Sequence, residues 1–437
     1  MQILAVISHI SLFITGFFKG IIEHHETCRY NAPFILIMSI IGFNFILERV
    51  LTILNSRKIS TALPNELSDV YDSEQYSKSQ QYKKVNERFS LITSTFSFIL
   101  IVLMLTFHVF GYFDQIARSV TSHPILVAML FFGMIMLASD ILNTPFALYD
   151  TFIIEEKFGF NKTTLKTFFL DKIKGWLIAG ILGGGVTALI IWFYLMTEEM
   201  FWVYAWIAVT AVMIFITMFY STLIVPLFNK QTPLEDGPLR QAIQEFCKKV
   251  DFKLDNIYVI DGSKRSTKSN AYFTGLGPEK RIVLYDTLIE DLEIDEIVAV
   301  LAHEIGHYKK KHSLTNILIG VIQTGITLYI FSLFTVNPML SWALGAKVHS
   351  IHMVILAFGV IYSPITTVVG LGLNILSRTH EFQADRYTKN NYDAGPLISA
   401  LKKLSSKNLS NLTPHPAYVF FHYSHPTLLQ RIRTLNK

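Results

Sequence analysis

Three side chains in the run His303, Glu304, Ile305, Gly306, His307 can do chemistry together. Histidines four residues apart stand one helical turn apart on one face, so both imidazoles can bind one metal ion. The Glu304 carboxylate between them can take a proton from a water that the metal activates. A catalytic zinc uses three protein ligands and keeps a fourth position open. The chain has only two cysteines, Cys28 and Cys247, and neither is near, so the third ligand must be a carboxylate or another histidine. The stretch His380, Glu381, Phe382, Gln383, Ala384, Asp385 offers one. Glu381 and Asp385 are again four apart on one face: Glu381 can ligate, and Asp385 can accept the Nδ1 proton of a ligand histidine, which fixes its tautomer and basicity. His380 is a rival ligand that points about 100° away from Glu381 around the helix. Two blander readings stand beside these. The histidines could lie on the surface of a polar helix next to a membrane, and Glu381 and Asp385 could form a solvated face paired with Arg378 and Arg386.

The elements that must position these groups come next. The pattern predicts a helix from about Ile294 to Lys311 carrying the histidines, after a possible capping box at Thr287 to Glu290. Before it the sequence alternates in short β-type segments at Asn256 to Ile260, Ala271 to Thr274 and Arg281 to Leu284, divided by Gly, Ser and Pro clusters. An amphipathic helix pattern at Leu239 to Val250 precedes them. Residues 229–313 hold 13 Lys and Arg and 14 Asp and Glu, so 27 of 85 positions are charged. That exceeds the roughly 25% of an ordinary soluble domain.

The rest of the chain is a different material. Of 437 residues 51% are hydrophobic and only 16% charged, with a mean hydropathy of +0.39. Eight apolar runs are long enough to cross a bilayer: Gln2 to Ile21, Pro33 to Leu54, Leu91 to Phe110, Ile125 to Leu148, Trp176 to Leu195, Phe201 to Phe228, Leu314 to Leu333 and Val354 to Leu376. The first lacks the basic n-region and small-residue cleavage site of a signal peptide, and is read as a retained helix. Lys and Arg crowd the loops after the second and fourth runs and are sparse after the third, fifth and seventh. By the positive-inside rule both termini and the two long polar stretches, Asn229 to Ser313 and Ser377 to Lys437, face the cytoplasm. The two distant cysteines exclude a disulfide framework and a four-thiolate zinc site. No basic stripe interleaves with aromatics, so no nucleic-acid partner is expected.

The HExxH run, the stretch from Ser377 to Asp385, Ser269 to Gly275, and Ser424, His425, Pro426 together resemble the type I CAAX prenyl endopeptidases, multispanning zinc metalloproteases of the gluzincin type. The resemblance extends into the amino-terminal half through Tyr71, Asp72, Tyr76, Ser79, Gln80 and Tyr82, and through Glu155 to Asn161. It implies one Zn2+ held by His303, His307 and Glu381, with Glu304 as general base and Asp385 behind the ligands. It also implies that Asn270 holds substrate backbone beside the metal and that His425 stabilises the tetrahedral oxyanion. The family has seven spans around a water-filled chamber, so the eighth run counted here would be an addition.

The expected architecture is therefore an all-α polytopic membrane protein of seven to eight transmembrane helices enclosing a chamber, with a small α+β zincin-like catalytic domain. Residues 1–228 form the amino-terminal transmembrane domain. Residues 229–437 form the zinc metallopeptidase domain, including transmembrane helices at about 314–333 and 354–376. The expected activity is cleavage of C-terminal CAAX (prenylated) proteins or other membrane-associated peptides, in the bacterial inner membrane by preference or the endoplasmic reticulum membrane if eukaryotic. The expected partners are peptide or protein substrates, prenylated or not, and the lipid bilayer. A quality-control protease without prenyl selectivity is the alternative. A transporter or receptor with a structural zinc is a third reading, but Glu304 would then have no task. Asp140 reads equally as a cavity residue or as the end of a span. Asn161, Asn408 and Asn411 begin glycosylation sequons on the cytoplasmic side, so no glycans are expected. Lys309 to Lys311 read as a membrane anchor, and Glu155 and Glu156 have no role that spacing assigns.

Overall fold

A computed structural model of the chain describes residues 31–58, 63–253, 257–274 and 281–437. The run Gln2 to Ile21 and Cys28 lie outside the described residues. The other seven runs are helical. Counting helices of six residues or more, α1 is Ala32–Ser56, α2 Ser73–Thr106, α3 Val109–Val120, α4 Pro124–Tyr149, α5 Leu165–Ile178, α6 Gly185–Thr197 and α7 Phe201–Phe219. After these come α8 Pro238–Lys249, α9 Asp286–Asp291, α10 Ile294–Lys309, α11 His312–Phe334 and α12 Pro338–Ala343. The chain closes with α13 Ile351–Asn391, α14 Ala394–Lys407, α15 Pro416–His422 and α16 Leu428–Leu435. Six continuous helical stretches are long and apolar enough to cross a bilayer. The longest, Leu165–Phe228, reverses at Glu198, whose φ of 44° no regular helix admits, and Phe193 then stacks on Tyr204 across the hairpin. That stretch therefore carries two spans, and the described residues hold seven.

Two sequence boundaries need correction. The run Leu91 to Phe110 does not end the third span at Phe110: α2 stops at Thr106, because His108 takes a left-handed φ of 55° and starts α3 as a separate helix. At its other end α2 begins at Ser73, with the Asp72 side chain accepting from the Gln75 N–H, well before its apolar run. The capping box at Thr287 to Glu290 is absent, since the Thr287 hydroxyl instead donates to the Lys268 carbonyl. The box lies at Glu293 and Glu296, which exchange side-chain and backbone hydrogen bonds and open α10.

The carboxy-terminal half is built on a four-stranded sheet in the order β1-β2-β4-β3, with β1 Gln231–Pro233, β2 Ile257–Ile260, β3 Ala271–Thr274 and β4 Arg281–Tyr285. β2 and β4 run parallel, while β1 and β3 are antiparallel edges. Alternation divides the two faces. Ile257, Ile282 and Leu284 pack with Ile297, Leu301 and Ile305 of α10, whereas Ile260 and Val283 pack on Val225 where the α7 stretch leaves the membrane. Each such buried side chain contributes about 1.5–3 kcal/mol. The sheet is thus held between α10 and a membrane span.

The loop between β2 and β3 is tied to the transmembrane half. Arg265 forms a two-pronged ion pair with Asp171 and donates to the Phe228 carbonyl. The Lys268 ammonium donates to Glu155 at 2.7 Å and to the Tyr82 hydroxyl at 3.1 Å, over the Phe160 ring. Glu155, unassigned by spacing, is thereby a tether, and Glu156 accepts from Asn161. Asp140 pairs with Lys172 at 2.8 Å.

The decisive packing is where α10 crosses α13. A Cβ built on Gly306 would stand 3.1 Å from the Ala384 Cα and 3.1 Å from the Tyr387 Cβ, tighter than most side chains tolerate, so glycine suits this close approach of the two backbones. Gly306→Leu should force the helices apart, costing at least about 1–3 kcal/mol by overpacking. Thermal unfolding of the purified variant checks this, and it should show metal loss before global unfolding.

Candidate metal centre

That crossing sets residues 303 and 307 of α10 against residues 381 and 385 of α13. The Nε2 atoms of His303 and His307 are 3.2 Å apart, and each lies 3.3 Å from a Glu381 carboxylate oxygen. Ligand atoms about 2.0–2.2 Å from a tetrahedral zinc are necessarily about 3.3–3.6 Å from one another. The spacing of the three groups fits such an ion. Chemistry agrees with distance: the buried Glu381 carboxylate turns its Oε2 to His303 Nε2 and, at 3.7 Å, to the Arg431 guanidinium, and its Oε1 to His307 Nε2. Two imidazoles and a carboxylate are a donor set that zinc takes. His303, His307 and Glu381 are the one such metal-capable cluster among the described residues.

The His303 Nδ1 lies 2.9 Å from an Asp385 oxygen, so its N–H donates there and the Nε2 lone pair is free for the cluster. Asp385 is completely buried and is held in turn by Arg431 of α16, whose Nε donates to Oδ2 at 2.9 Å. Arg431 was not legible in the sequence analysis. Its one signal was a position six residues after His425 in the Ser-His-Pro stretch. The suggested partners Arg378 and Arg386 do not serve: Arg378 donates to the Tyr423 carbonyl instead. His380 is not part of the cluster either, because its ring lies flat on His312, with centroids 3.9 Å apart.

Glu304 is half-buried on α10, within electrostatic reach of Arg431. His425 stands at the mouth of the site, 65% exposed, with Nε2 3.3 Å from Glu381 Oε1 and Nδ1 on the Ser424 hydroxyl. Asn270 is exposed at the head of β3, where its side-chain oxygen accepts from the Ala271 N–H. Among the described contacts, none joins Asn270 to the cluster. β3 is the sheet edge beside α10, and among the described residues its outer backbone groups have no strand partner.

Burial and the Arg431 charge both oppose protonation of His303, but the Asp385 and Glu381 carboxylates outweigh them and raise its pKa to about 9. Without metal, His303 is therefore protonated at neutral pH, and a metal must displace that proton. Metal affinity of the stripped protein should rise about tenfold per pH unit up to about pH 9 and then level. Calorimetric titration in buffers of different ionisation enthalpy checks this through the proton released per metal bound.

Comparison with known proteins agrees with this geometry. Residues 52–230 match the family described as CAAX prenyl protease N-terminal, five membrane helices, and residues 233–437 match peptidase family M48. CAAX prenyl protease 1 of Saccharomyces cerevisiae is 34% identical over 456 aligned residues, covering 96% of this chain and 97% of the relative. The CAAX prenyl protease 1 homolog of Homo sapiens is 32% identical over 424, covering 86% and 89%. The crystal structure of S. mikatae Ste24p superposes with a TM-score of 0.86 at 33% identity, covering 93% of this chain and 99% of that one. With both of its halves matched, and relatives aligned over nearly its whole length, the chain belongs to the CAAX prenyl protease branch of peptidase family M48 and is an integral-membrane metalloendopeptidase.

Proposed function

We propose that the protein is a zinc endopeptidase that removes the C-terminal residues of CAAX proteins at the cytoplasmic face of its membrane. The observation that carries the zinc assignment is the convergence of two imidazole Nε2 atoms, 3.2 Å apart, on the Glu381 carboxylate, one 3.3 Å from each of its oxygens. Support for the substrate class comes from the relatives, which bear the CAAX protease name over most of this length. Those relatives are eukaryotic, which favours the endoplasmic reticulum over the bacterial inner membrane. The cytoplasmic orientation rests on the alternating loop charges.

His303, His307 and Glu381 hold the zinc, which when bound supplies a Lewis acid that acidifies water and polarises the scissile carbonyl. Glu304 takes the water proton and passes it to the leaving amine. His425 is placed to donate its Nε2–H to the oxygen that gains charge in the tetrahedral step. The free edge of β3 can pair with an extended peptide, giving backbone affinity with little side-chain selectivity, and Asn270 at its head holds substrate backbone. Asp385 keeps His303 in the metal-binding tautomer.

Cleavage of a prenylated CAAX peptide, followed with and without chelator, tests this. Glu304→Gln should lose roughly 10²–10⁴-fold in kcat while keeping its zinc, and His307→Ala should lose both. Retained cleavage in Glu304→Gln would sink the mechanism. Equal kcat/KM on prenylated and unprenylated peptides would favour the alternative of a membrane quality-control protease.

A further inference from the structure

The two ligand histidines are oriented by opposite kinds of group. His303 leans on a carboxylate that is itself neutralised by Arg431. His307 leans on a third histidine: its Nδ1 is 3.0 Å from the Nδ1 of buried His312, whose Nε2 is 2.8 Å from the Gln383 side-chain oxygen. His380 stacks on the His312 ring at an interplanar angle of 6°.

Proton counting along this chain leaves one arrangement. The Gln383 oxygen can only accept, so His312 carries its proton on Nε2. The His312 Nδ1 is then bare and can only accept, so His307 must donate from Nδ1. His307 Nε2 is left as a lone pair, beside His303 Nε2 and Glu381. We propose that Gln383, His312 and His380 form a tautomer lock for His307, with His312 the positioning residue and the other two fixing its proton and its plane.

The backbone is built to allow it. Five residues along an unbroken helix would turn His312 about 140° away from His307. Lys311 instead takes a left-handed φ of 60°, ends the run from α10 and begins α11 with His312 turned back onto His307. A left-handed lysine is a strained backbone, which this contact helps to offset. Gln383 and His380 come from α13, on either side of the ligand Glu381. The lock therefore closes only when α10, α11 and α13 are packed together.

The inference rests on His307 being a zinc ligand, so its test reads metal binding directly, in full-length purified protein titrated with zinc against a competing chelator. If the wild-type protein binds no zinc tightly, the proposed function fails; if it does, the variants judge the lock. His312→Leu should bind zinc about ten- to a hundredfold more weakly, with the thermal unfolding of the metal-free form as the control for folding. His312→Gln, which can offer a carbonyl oxygen to the His307 N–H, should recover most of that loss. Gln383→Glu keeps an acceptor and should bind as wild type, whereas Gln383→Lys offers only a donor and should bind as weakly as His312→Leu. Equal affinity in the two Gln383 variants, or unchanged affinity in His312→Leu, would overturn the proposal.

Discussion

Everything at the site depends on how closely α10 and α13 cross. Gly306 lets the backbones meet more closely than most side chains tolerate, and the proposed ligands are arranged about that contact, two from one helix and one from the other. Because α13 is a 41-residue helix that continues out of a membrane span, Glu381 and Asp385 are fixed by the same rigid rod that anchors the chain in the bilayer. α10 is fixed from its other side by the sheet, whose opposite face sits on Val225 at the end of another span. The metal centre is therefore clamped between two membrane elements, which is how a small domain keeps three side chains within a few tenths of an ångström of a productive arrangement.

Electrostatics divides the labour around that clamp. Two buried carboxylates, Glu381 and Asp385, would repel each other and resist burial on their own. Arg431, from a helix at the far end of the chain, offsets both, bound directly to Asp385 and 3.7 Å from Glu381, so α16 has a task at the site. The carboxylate behind His303 makes that imidazole a strongly basic ligand, whereas His307 has an imidazole behind it. Metal uptake and proton release should be coupled mainly at that residue.

Much of this was legible from residue spacing, because helix geometry is local. His303 with His307, and Glu381 with Asp385, announce shared faces through their four-residue separations, and three of the four strands announce themselves through alternation. What escaped were features decided by distant chain segments or by single dihedrals. Arg431 reads as one more surface arginine until α16 folds back onto α13. His312 has no role that spacing assigns, standing five residues after His307, until Lys311 turns left-handed. β1 is three residues long and exists only because β2 offers it an edge. The extension of α2 beyond its span is polar, so hydropathy is silent about it, and the packing of Tyr71, Tyr76 and Tyr82 with Phe158 and Phe160 supplies what the pattern lacks.

The most direct measurement of the central claim is X-ray absorption spectroscopy of the zinc-loaded protein. The account predicts a first shell of nitrogen and oxygen at about 2.0–2.2 Å, with two imidazoles and room for a non-protein ligand. A third imidazole in the shell would put His425, His312 or His380 on the metal, and a sulfur ligand would remove it from this cluster altogether. Either result would contradict the account.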